Sequence, residues 1–122
     1  MSTLKVNTIQ TTSGGSSSTP EQIEQGRAKV WCAWNGDGTP SIYDSFNASS
    51  ITDNGTGDWT VNFTTAMADA NYAYTWASGG TIWNGNRSYS LAGSLQSLGM
   101  GRGDSYGQHD SDIQCIVVFG DQ

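Results

Sequence analysis

Between Trp59 and Phe63 the chain reads WTVNF, and from Ala28 to Trp34 it reads AKVWCAW. Side chains on a β-strand point alternately to its two faces, so apolar residues at a period of two mark a strand buried on one side. Trp59, Val61 and Phe63 then share one face, with Thr60 and Asn62 on the other. Ala28, Val30, Cys32 and Trp34 share a face in the same way. The run YAYTW (72–76) alternates large and small residues, and YSLAGSL (89–95) reads as a weaker strand. The run IQCIVVF (113–119) is apolar on both faces, which predicts a strand at the centre of a sheet or at an interface. Turn chemistry separates these runs: NGDGTP at 35–40, DNGTGD at 53–58, SGG at 78–80 and GMGRGDSYG at 99–107. The nine acidic residues after position 26 are all Asp, which favours turns, and none is Glu, which favours helices. Short strands at regular spacing with Gly-rich turns predict an all-β fold, an antiparallel β-sandwich of jelly-roll-like form.

The 122 residues suffice for one domain. Hydrophobic content is 35%, which is low, but five Trp, five Tyr and three Phe supply large buried area per residue and argue for a folded core.

The N-terminal 26 residues have a different composition. Residues 1–12 form an extended, Thr-rich segment whose apolar residues are Leu4, Val6 and Ile9. Residues 13–18, SGGSSS, read as a flexible linker. In TPEQIEQG (19–26), Thr19 suits the N-cap, Pro20 the first helical position and Gln22 the third residue of a capping box. Gly26 is expected to end this helix of under two turns, which is too short to persist alone. Three segments follow: an attachment peptide (1–12), a linker with a short capped helix (13–26), and a β-sandwich domain (27–122). An apolar peptide separated from its own domain suits addition as a strand to a partner's sheet.

With a net charge of −6 and five scattered basic residues, the chain lacks the clustered Lys and Arg that phosphate binding needs. Nucleic acid is therefore not an expected partner, and neither is an anionic membrane surface. No stretch approaches the ~20 apolar residues of a membrane span, and the start lacks the apolar core of a signal peptide. Cys32 and Cys115 lie in the first and last apolar runs of the domain. They could face each other across paired strands, but free buried thiols are the plainer reading.

No catalytic constellation is legible, and neither enzymatic activity nor a cofactor is expected. The stretch HDSD (109–112) offers His109, Asp110 and Asp112 as metal ligands, but a solvated polar loop explains it without further ligands. NGDG (35–38) lacks the acidic pattern of a calcium loop and reads as a turn. RGD (102–104) is a short motif on a Gly-rich loop, and the sequons at Asn47, Asn54, Asn62 and Asn86 are unremarkable in so Thr/Ser-rich a chain. Sugars are bound by aromatic faces and planar hydrogen-bonding groups. The set Trp83, Asn84, Asn86, Arg87, Tyr106 and His109, in predicted loops, is the candidate receptor contact. Inward packing of Trp83 and Tyr106 is the competing reading.

The stretch GRAKVWCAWNGDGTPSIYDSFNASSITDNGTGDWTVNFTTAMADANYAYTWAS, with the closing CIVVFGD, resembles the C-terminal domains of fibre proteins of tailed bacteriophages, particularly phages of cyanobacteria and other aquatic bacteria. The opening STLKVNTI looks like the N-terminal attachment segment of such virion proteins. The resemblance implies a homotrimer anchored in the virion by residues 1–12 and touching the host with its distal domain. Ile23, Ile116 and Val118 are the residues expected near the three-fold axis. The alternatives are a capsid decoration protein or head fibre, and a free carbohydrate-binding module.

Overall fold

The computed structural model describes residues 1–79, 89–98 and 110–122. The chain begins with two short strands, β1 (Ile9–Gln10) and β2 (Ser17–Ser18), followed by a helix, α1 (Pro20–Gly26). Eight strands follow: β3 (Val30–Asn35), β4 (Ser41–Phe46), β5 (Ala48–Gly55), β6 (Asp58–Phe63), β7 (Ala73–Ser78), β8 (Tyr89–Leu91), β9 (Ser94–Leu98) and β10 (Gln114–Phe119). They form two four-stranded antiparallel sheets, β4-β3-β10-β7 and β5-β6-β9-β8. This is the all-β sandwich that the alternation predicts. The strand order alone does not make it a jelly roll, because the β3–β4, β5–β6 and β8–β9 hairpins each stay within one sheet.

The core lies between the sheets. Val30, Cys32 and Trp34 of β3 and Ile116 and Val118 of β10 face Trp59, Val61 and Phe63 of β6. Met67 and Tyr72 close it at one end. Trp34 and Trp59 meet edge to face at 6.4 Å with an interplanar angle of 72°, a favourable arrangement for two aromatic quadrupoles. Gly36 allows this contact, because a Cβ there would stand 2.6 Å from Trp59 Cζ2. NGDG is accordingly a turn fitted against a Trp ring, with the Gly36 N–H donating to the Ser111 carbonyl at 2.8 Å.

The structure corrects several expectations. The run 89–95 is two strands, not one: β8 and β9 flank a turn at Ala92–Gly93, whose carbonyls accept from the Met67 and Phe63 N–H groups. SIYDSF forms β4, which its weak alternation conceals; a bulge between Ala33 and Trp34 shifts its register on β3. The Ser/Gly stretch, expected as a linker, supplies β2, which pairs with β1 through Ile9↔Ser18 and Gln10↔Ser17. The helix forms as its caps predict, with both capping-box bonds between Thr19 and Gln22. Gly26 is its last residue, and the extended Arg27 ends it.

The most consequential correction concerns Ile116 and Val118. Both are buried in the core of their own chain, 1% and 0% exposed, so neither side chain is free to line an axis. In an antiparallel pair, opposed residues share a face, and Ile116 pairs with Cys32 and with Trp76 on the inner side. The outward residues of β10 are Cys115, Val117 and Phe119.

Candidate functional site

The sandwich has two chemically distinct ends. At one end, α1 and the segment before it meet the start of β3 and the close of β10, where the Lys29 N–H donates to the Val118 carbonyl at 2.8 Å. At the other end lie Asn35, Ser78, Asp58 and Leu98, since Gln114 pairs with Ser78 and Asp58 with Leu98. Gly79 and Asp110 belong to this second end: the Gly79 N–H donates to the Ile113 carbonyl, and the Gly57 N–H donates to Asp110 Oδ1 at 2.8 Å. Trp83, Asn84, Asn86, Arg87, Tyr106 and His109 lie outside the described residues. Of the described residues flanking those two stretches, Gly79, Leu98 and Asp110 sit at the end opposite α1, and Tyr89 lies partway along the sheet, level with Gln96 and Thr60.

At the α1 end, Leu4, Val6 and Ile9 share a groove of about 640 Å³ with Pro20 and Ile23. All four aliphatic side chains are exposed, Leu4 at 83% and Ile23 at 44%. The groove brings Ile23 beside the N-terminal segment, a neighbour that sequence distance conceals. It leaves the apolar side chains of that segment facing water.

The helix is tied to the sandwich by a residue that reading the sequence missed. Lys29 is 2% exposed, and its Nζ donates to the Glu24 carbonyl at 2.6 Å and to Glu24 Oε1 at 2.5 Å. A buried ammonium needs such partners, because an unpaired charge out of water is costly. The hydrogen bond from Lys29 lowers the Glu24 carboxyl below its ordinary range, and the Arg27 charge adds to this. A carboxylate lowered in the folded state contributes stability above its unfolded pKa and loses it as pH falls through the folded value. The clasp is therefore expected to open in acid. Gln25 adds a second tie, donating from Nε2 to Asp121 Oδ1 at 2.7 Å. A cleft of about 410 Å³ opens beside it, lined by Asp69, Asn71, Phe119 and Asp121 among others.

Asn47 links the two sheets across the β4–β5 connection. Its φ of 58° is left-handed, a conformation that Asn tolerates better than most residues. Its Nδ2 donates to the Lys29 and Thr65 carbonyls at 3.1 and 3.0 Å, and its Oδ1 accepts from the Thr65 N–H at 2.7 Å. The sequon at this position is thus occupied by a structural side chain.

The outer faces of the two sheets differ in kind. On β5 and β6, Asn62 Nδ2 donates to Ser50 Oγ and Thr52 Oγ1 at 3.1 and 2.9 Å, and Asn54 Nδ2 donates to Asp58 Oδ1 and Thr60 Oγ1 at 3.2 and 2.9 Å. On the other sheet one row runs Phe46–Trp31–Val117–Thr75 across all four strands. Phe46 is 48% exposed, Trp31 36% and Phe119 37%. The alternation in AKVWCAW held the signal for this face: if Val30, Cys32 and Trp34 point in, Trp31 points out.

Both cysteines are free. β3 and β10 do pair, but Cys32 opposes Ile116 on the inner face while Cys115 opposes Ala33 on the outer one. Burial pushes the Cys32 thiol up to about 11, with a smaller contribution from the Asp44 charge. Among the described residues no three His, Cys, Asp or Glu side chains gather to hold a metal, and no helix is long and apolar enough to cross a membrane. Comparison with family models, with curated proteins and with solved structures finds no match.

Proposed function

We propose that this chain is a virion structural protein, a short homotrimeric phage fibre held in the particle by residues 1–12 and presenting a distal β-sandwich to a host-surface glycan. The observation that carries the reading is the polarity of the molecule. The exposed apolar segment and α1 lie at one end of the sandwich, and three of the four residues flanking the candidate receptor stretches, Gly79, Leu98 and Asp110, lie at the other. Leu4, Val6 and Ile9 stay exposed on their own chain, as expected of side chains whose partner is another protein. Main-chain pairing with a partner sheet would supply the affinity, and the alternate side chains the register.

The test is removal of residues 1–12. None of the core residues lies in that segment, so the truncated chain should fold with an unchanged core and fail to enter particles. Unfolding of the truncated chain would make the segment part of its own domain. Normal incorporation would move the attachment surface elsewhere. Binding of the truncated chain to immobilised host-surface glycans separates the second half of the proposal from the first.

A further inference from the structure

The outer face of the β4-β3-β10-β7 sheet is built unlike the outer face of β5 and β6, and we propose that it is the contact between copies of this chain. It deepens the oligomer in the reading above, yet stands on the chemistry of the face alone. Cross-strand pairing puts Phe46, Trp31, Val117 and Thr75 in one row, and Asp44, Ala33, Cys115 and Ala77 in the next. Phe119 and Ala73 begin a third.

Charge points to a second copy as the occupant. The chain carries −6, so copies repel one another wherever their charges meet. On these rows the only charged residue is Asp44, on the edge strand. The face is therefore a neutral and apolar area on which like-charged copies can approach, where the β5–β6 face is polar. A strongly basic partner would instead find only Asp44 here to pair with.

Relief points the same way. The β4–β3 half carries the bulky Phe46 and Trp31, while β7 carries only Ala73, Thr75 and Ala77. The raised β4–β3 half of one copy fits over the shallow β7 edge of the next, which is the complementarity a closed oligomer requires.

Area sets the extent of the contact. Six residues at ~3.4 Å by four strands at ~4.8 Å give a face on the order of 400 Å². A stable interface takes roughly 800 Å² from each partner. The contact must therefore run beyond the sheet, and Ile23 on α1, 44% exposed, supplies further apolar area. Ile23 keeps its place near the interface in this arrangement, while Val117, Trp31 and Phe46 take the role expected of Ile116 and Val118.

The experiment is sedimentation velocity on the full chain at micromolar concentration. Wild type should sediment as a dimer or trimer. Val117→Lys should shift it to monomer with an unchanged far-UV spectrum, since this side chain points away from the core. Thr52→Lys, on the outer face of the other sheet, should leave the oligomer intact. If Val117→Lys fails to fold, Phe46→Lys at the sheet edge gives the same readout. Cys115 is an internal reporter: its modification by a thiol reagent should slow as wild-type concentration rises, and not in Phe46→Lys. A monomeric wild type overturns the proposal, as does a Thr52→Lys variant that dissociates as fully as Val117→Lys. Either result would be independent of whether residues 1–12 enter a particle.

Discussion

The two sheets share one core but turn opposite surfaces outward. The β5–β6 outer face is a lattice of Ser50, Thr52, Asn54, Thr60 and Asn62, whose side chains hydrogen-bond along and across the strands. The Asn54 and Asn62 amides find their acceptors within the face itself. The β4-β3-β10-β7 outer face has Trp31, Phe46, Val117 and Phe119 at the corresponding positions. Both faces cover the same kind of core, so the demands of folding do not explain the difference. A sheet needs one apolar face to fold; a second apolar face has a cost in solubility, and soluble monomers keep such patches small.

The sharpest way to break this comparison is to truncate adjacent residues of one strand. Ile116→Ala opens a void in the core and is expected to destabilise the chain by ~2–5 kcal/mol. Val117→Ala, one residue on, should cost the isolated chain less than ~1 kcal/mol and act mainly on association. Chemical denaturation of both variants, at a concentration where each is monomeric, reads the contrast. Equal losses would mean that β10 is buried on both faces within one chain.

A smaller effect distinguishes the two thiols. Burial holds the Cys32 pKa at about 11, above the ordinary thiol value of 9.0. The folded state then retains a proton that the unfolded chain gives up, so stability is complete below about pH 9 and falls as pH rises toward about 11. Cys32→Ala should flatten that part of the profile. At neutral pH a thiol reagent should modify Cys115 in the monomer and leave Cys32 untouched. Melting temperatures across the alkaline range, paired with thiol counting, test both statements.

The smallest effect lies on the polar face. Asn62→Ala removes two exposed side-chain hydrogen bonds and is expected to cost about 0.5–1 kcal/mol, with no change in oligomeric state. A change of sedimentation in this variant would assign the polar face to the interface and dissolve the distinction between the two sheets.

Much of the fold was legible because its signals are local. WTVNF and AKVWCAW declare their inward residues by alternation, and Trp59, Val61, Phe63, Val30, Cys32 and Trp34 are all buried. Thr19, Pro20 and Gln22 declare the start of α1 through bonds that span three residues. SIYDSF was not legible as a strand, because a bulge shifts its phase and it sits at an edge where exposure is mixed. The burial of Lys29 was not legible either, since it depends on α1 folding back over the start of β3. Of the candidate sites, Leu4, Val6, Ile9 and Ile23 prove to share a groove.

Residues 114–119 draw the line between what the sequence determined and what the tertiary structure decided. A run of Gln114, Cys115, Ile116, Val117, Val118 and Phe119 carries no alternation, so its letters determine a strand and nothing about which side faces in. That choice came from its neighbours. Pairing with β3 places Ile116 beside Cys32 and Val118 beside Val30, whose own face is fixed by their polar and apolar spacing. Register is a relation between strands set by long-range packing, and a shift by one residue would exchange the two faces entirely. The sequence alone therefore determined that both faces of this strand are apolar. Only the second sheet, closing over Ile116 and Val118, decided that Val117 and Phe119 were the ones left for something outside.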